Sequence, residues 1–120
     1  VHFVGAAGAG AAPALFYRSF LEGLAAESSA AVVATPYKVT SDLEESAAQA
    51  ADALDAAVLE LAGRRGVRLT GLPLYCVGHS LGGALVLLLA ERRTCTGNVL
   101  LGLNQRPISD VIPAAIPAPP

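Results

Sequence analysis

The chain has 120 residues and a mass of 12.1 kDa, and with 24 Ala and 12 Gly its side chains are mostly small. That length suits one domain able to bury roughly two thirds of its unfolded surface, and 53% hydrophobic against 15% charged residues excludes a disordered or fibrous chain. A net charge of −2 with 8 Lys+Arg leaves no footprint for nucleic acid or an anionic membrane, and the longest apolar run, residues 84–90, is far short of the ~20 a transmembrane helix needs.

Residues 1–4 read as a short strand that breaks into a loop of Gly and Ala ending at Pro13, a residue suited to the first turn of a helix. Phe16, Phe20 and Leu24, with Tyr17 and Leu21 beside them, predict one amphipathic helix over 13–27 whose apolar stripe seeks a sheet. Residues 30–35 form a Val-rich run without alternation, which suits a strand covered on both faces. Ser41 and Glu44 have capping-box spacing, so a second helix is expected to start at Ser41. Leu43, Ala47, Ala50, Leu54, Ala57 and Leu61 mark its inner face until Gly63 and Gly66 stop it. A third strand follows over 74–77, a third helix from 81 to about 93 and a fourth strand over 98–103.

This β-α-β-α-β-α-β order forces parallel strands joined by crossovers, so the fold class is α/β. The domain is read as 1–104, with 105–120 an irregular Pro-rich segment that no helix or central strand can accommodate. In the expected sheet the first strand is central, with the second on one side of it, the third on the other and the fourth at the edge. The fourth strand lacks the charges or proline that natural edges use, so it is expected to seek a neighbour, and the isolated chain to bind hydrophobic dyes, self-associate or fold poorly.

The chain opens with Val1 in mid-strand and contains no Met, from which a fragment or processed product is expected. No basic leader precedes an apolar stretch, so no signal peptide is read here. Cys76 and Cys95 are 19 positions apart, in neither a CxxC nor a zinc spacing, and read as two plain thiols of a reducing compartment.

Gly78-His79-Ser80-Leu81-Gly82 matches G-x-S-x-G between an apolar strand and an apolar helix, the context of a nucleophile elbow. Such a turn holds the serine in a strained conformation with its hydroxyl above the sheet, and the two glycines remove side chains that would collide there. Ser80 is therefore the candidate nucleophile and the Leu81 amide the first oxyanion donor. A second donor is expected from the loop after the first strand, at Gly5, Ala6 or Ala7. A serine nucleophile also needs an acid and a histidine, which in this fold follow it in the chain. No histidine follows Ser80. His79 reads as a structural or oxyanion-region residue, His2 as a packed strand histidine and Asp110 as a surface turn residue, so the triad Asp/Glu and His are not present in this chain.

Gly8-Ala9-Gly10 suggests phosphate binding, but Pro13 replaces the third glycine of G-x-G-x-x-G, no Lys-Ser/Thr follows, and Thr35-Pro36 stand where an acid would end the second strand. Nucleotide binding is disfavoured, and no cofactor or metal is expected. Arg64-Arg65 and Arg92-Arg93 read as charges closing helices.

The stretches His2-Phe3-Val4-Gly5, Gly10-Ala11-Ala12-Pro13, Tyr17-Arg18, Phe20-Leu21-Glu22, Ala34-Thr35-Pro36-Tyr37, Thr40 with Asp42, Asn98-Val99-Leu100, Ser109-Asp110 and Ile112-Pro113 extend the serine motif. Together they resemble the plant, algal and cyanobacterial family called domain of unknown function 1350. The resemblance implies an α/β-hydrolase-like three-layer domain, represented here by its central part, with Ser80 as nucleophile and a plastid or cytoplasmic location in a photosynthetic organism. It implies no established substrate. The expectation is a serine-hydrolase-like domain for a small-molecule or lipid-like acyl substrate; a non-catalytic hydrolase-fold binding protein is the alternative.

Overall fold

The structure, a computed structural model, describes residues 1–103. Four strands, β1 (His2–Val4), β2 (Val33–Ala34), β3 (Tyr75–His79) and β4 (Gly97–Leu101), form one parallel sheet in the order β2-β1-β3-β4. His2 and Phe3 pair with Val33 and Ala34 on one side, and with Cys76 and Val77 on the other. β3 then pairs with β4 from Tyr75 opposite Gly97 to His79 opposite Leu101. The α/β class holds and, among the described residues, so does the expected strand order, with β4 at the edge. Val99 there is 48% exposed. The expectation for the Pro-rich tail lies outside the described residues.

The helices are α1 (Pro13–Phe16), α2 (Arg18–Ser28), α3 (Leu43–Arg65) and α4 (Leu81–Ala90), with a short 3-10 turn at Ala9–Ala11. Strand pleating sends alternate residues to opposite faces. Val4 and Cys76 join Ala47, Ala50, Leu81, Leu85, Val86 and Leu89 in the core beneath α3 and α4. Burying each of the larger aliphatic side chains contributes roughly 1.5–3 kcal/mol. Phe3 points to the other face, where its ring meets Tyr17 at 4.7 Å and Phe20 at 5.6 Å. The sheet thus lies between two helical layers.

Four expectations about the helices need correction. The predicted helix over 13–27 is broken at Tyr17, whose φ of −113° and ψ of 16° divide α1 from α2. Its hydroxyl is held by groups on the sheet side, and the predicted stripe is only half used, since Phe16 stays exposed. The cap of α3 is Asp42, not Ser41: the Glu44 amide donates to Asp42 Oδ1 at 2.9 Å, and Thr40 Oγ1 accepts from the Asp42 amide at 3.2 Å, which fixes the entry one residue later. Gly66, at φ 64°, ends α3, while Gly63 lies inside it. Arg92 and Arg93 lie beyond α4 and pair with Glu44 at 2.7 Å and Asp55 at 2.6 Å on α3, so they tie two helices together rather than cap one. No helix among the described residues is long and apolar enough to cross a membrane.

Candidate functional site

Ser80 stands between the last residue of β3 and the first of α4, with φ 54° and ψ −118°. A non-glycine residue at positive φ is strained, by about 1–3 kcal/mol, and persists only where its surroundings hold it. Here the Ser80 amide donates to the Leu101 carbonyl at 2.8 Å, which extends the β3–β4 ladder to the turn, and its carbonyl accepts from the Gly83 amide at 3.0 Å. Glycine is required on both sides. A Cβ on Gly78 would lie 2.6 Å from the Gly82 carbonyl and the Gly83 backbone, and one on Gly82 would strike the carbonyl oxygens of Val4 and Gly5. The helix carrying Leu81 is thereby seated directly on the end of β1. Leu81, as the first residue of α4, has an amide that the helix itself leaves without an acceptor.

The loop after β1 is clamped by two tyrosines that sequence reasoning did not single out for the site. The Tyr37 hydroxyl donates to the Gly5 carbonyl at 2.7 Å, and its ring occupies the space a Cβ on Gly10 would need. Burial pushes this hydroxyl well above its ordinary pKa. The Gly8-Ala9-Gly10 stretch therefore makes room for an aromatic ring. The Ala6 amide donates to the Tyr17 hydroxyl at 2.8 Å, and that hydroxyl pairs with His79 Nδ1 at 2.8 Å. The Tyr17 oxygen accepts from the Ala6 amide, and the direction of its second bond, to His79 Nδ1, follows the His79 tautomer. The rings of Tyr17 and His79 meet edge to face at 5.7 Å.

Gly5, Ala6, Ser80 and Leu81 are thus brought to one end of the sheet, with His79 linked to the first loop through Tyr17 and Gly82 seated against the Val4 and Gly5 carbonyls. The Ala6 amide, however, is already engaged by Tyr17. Among the described residues no acceptor meets the Ala7 amide. A tyrosine hydroxyl bonded 62 residues away in sequence leaves no periodic signal, so nothing in the pattern of residues 13–27 could have found it.

His2 lies apart from this end. It is paired with Cys76, while Ser80 is four residues further along, about 13 Å at the rise of a strand. Its Nε2 lies 2.8 Å from Thr35 Oγ1. Burial above all, then the positive charges of Arg93 and the amino terminus, lowers its pKa to about 4. Asp110 lies outside the described residues. A cavity of about 510 Å³, lined by Val33, Leu54, Leu74, Tyr75 and Arg93 among others, opens at the amino ends of the strands, away from Ser80. Among the described residues no group of His, Cys, Asp and Glu could hold a metal ion.

A family model described as "Protein of unknown function (DUF1350)" matches residues 1–116. None of the curated proteins or solved structures compared with the chain matches it.

Proposed function

The chain belongs to the DUF1350 family, and on that premise we propose that it is a serine-hydrolase-like α/β domain with Ser80 as nucleophile and ester or lipid-type acyl compounds as substrates. The backbone of Ser80 carries the proposal: φ 54° and ψ −118° at a strand-to-helix turn, inside G-x-S-x-G. This is the arrangement expected of a nucleophile elbow, and strain of this kind clusters at active sites. In acyl transfer the Ser80 Oγ attacks the carbonyl carbon, and the oxyanion that forms is met by the Leu81 amide and by an amide of the loop after β1, where Gly5 and Ala6 lie. Removing one such donor costs on the order of 3 kcal/mol in catalysis.

The sequence contains two histidines, and neither serves as base in this reading. His2 is buried on Thr35, and His79 spends Nδ1 on Tyr17. The Ser80 hydroxyl in this chain is therefore a weak nucleophile that reacts slowly by itself. The test is labelling with a fluorophosphonate, with and without imidazole as an external base. Slow Ser80-dependent labelling that imidazole accelerates about tenfold is expected, with no adduct in Ser80→Ala. Equal labelling of Ser80→Ala would remove the nucleophile. Fast labelling without imidazole would make His79 or His2 the base.

One observation favours the second reading, a non-catalytic hydrolase-fold binding protein. The Ala6 amide, a candidate oxyanion donor, is already bonded to Tyr17. In that case Ser80 would remain unlabelled at every imidazole concentration.

A further inference from the structure

Cys76 and Cys95 are both free thiols, yet their Sγ atoms are 3.1 Å apart. A disulfide holds its sulfurs at about 2.05 Å, so a bridge needs about 1 Å of closure between side chains that already meet. Cys76 sits in the middle of the sheet, 2% exposed, whereas Cys95, in the stretch before β4, is half-buried. The two thiols therefore differ in access. Burial first, then the hydrogen bond and charge of Cys95, push the Cys76 thiol up to about 12, against the opposing pull of the amino terminus and Arg93. Alone, Cys76 is an inert thiol at neutral pH.

We propose that Cys76 and Cys95 form a reversible disulfide site whose co-reactant is a small-molecule disulfide of the glutathione class. The Cys95 thiolate attacks one sulfur of that disulfide; its S–S bond breaks, and the departing thiolate takes up the proton that Cys95 released. The resulting mixed disulfide on Cys95 no longer bonds or repels the Cys76 sulfur, so two of the influences suppressing that thiol are removed. Cys76 then attacks the Cys95 sulfur, its proton passes to the second leaving thiolate, and the internal bridge forms. Two protein thiols lose two electrons and two protons, and the small-molecule disulfide becomes two thiols.

The bridge would join β3 to the approach of β4 and close a loop containing Ser80 and all of α4. Closing a loop of about 20 residues restricts the unfolded chain, so the oxidised form should melt about 10 °C higher.

The test is incubation of the full chain with reduced and oxidised glutathione at set ratios, followed by intact mass, thiol count and Tm. The expected product has lost two thiols and about 2 Da by the two-electron step, retains no glutathione, melts higher and reverts with dithiothreitol. Cys76→Ser should hold one glutathione on Cys95, and Cys95→Ser should leave Cys76 unmodified. A wild-type chain that ends as a stable glutathione adduct, bridges to a second chain or keeps both thiols would overturn the proposal. Those wild-type readouts decide the matter even where a variant fails to fold.

Discussion

On one face of the sheet α3 and α4 bury Ala47, Ala50, Leu54, Leu85, Val86 and Leu89, whereas on the other α2 buries no residue, and Phe16 of α1 and Phe20 of α2 remain 65% and 43% exposed. The first face is held by close packing, the second by three aromatic rings and one tyrosine hydroxyl. Ser80 stands where the two meet. Its carboxyl side runs into the packed helix α4 through Gly82, and its amino side, through His79, reaches the Tyr17 clamp on the loop after β1. The turn that carries the serine is therefore set rigidly by backbone packing, while the loop that would supply the second oxyanion donor is held by two phenols, Tyr37 on the Gly5 carbonyl and Tyr17 on the Ala6 amide.

The largest test of this contrast is Gly82→Ala. The added carbon meets fixed backbone oxygens of Val4 and Gly5 rather than a side chain that can turn away, so a loss of more than about 4 kcal/mol is expected. Urea denaturation checks it. Leu85→Ala, in the packed layer and fully buried, should cost about 3–4 kcal/mol, while Phe16→Ala on the loose layer should change stability by less than about 0.5 kcal/mol. Similar losses in the two would erase the difference between the faces.

The packed face should also carry a pH dependence through His2. Burial holds its folded pKa at about 4 against the ordinary histidine value of 6.5. Between those values the unfolded chain binds the proton and the folded chain does not. Stability is therefore complete above pH 6.5, falls on acidification toward pH 4, and changes no further from this group below that. The loss is on the order of 3 kcal/mol. Denaturation midpoints across this range, for the wild type and for His2→Gln, should show the slope only in the wild type. A smaller effect is expected on the loose side: Tyr17→Phe keeps the ring against Phe3 but strips the partner from the Ala6 amide and His79 Nδ1, for about 1 kcal/mol. Faster amide exchange confined to residues 5–8 would locate that change.

Much of the packed side could be read from residues alone. The 4-3 spacing of Leu43, Ala47, Ala50 and Leu54 anticipated the inner face of α3, and G-x-S-x-G anticipated glycines at the two positions where a side chain would collide. The loose side could not. A helical stripe containing Phe16 and Phe20 has the same period whether or not a sheet covers it, and only the break at Tyr17 shows that a polar contact outweighed helix continuity. Ser41 and Asp42 are both good caps, and the choice fell to the Thr40 hydroxyl. Cys76 and Cys95 meet because β3 and β4 pair with their starts side by side, a register no cysteine spacing reveals.

The account rests most heavily on strain at Ser80, and comparing Ser80→Gly with Ser80→Ala by chemical denaturation tests it directly. Glycine adopts positive φ freely, and the relief exceeds the entropy it adds to the unfolded chain, so Ser80→Gly should be about 1 kcal/mol more stable than wild type. Ser80→Ala, which keeps the Cβ, should match wild type. A glycine variant no more stable than the alanine variant would contradict the account, because the turn would then hold no strain for the serine to bear.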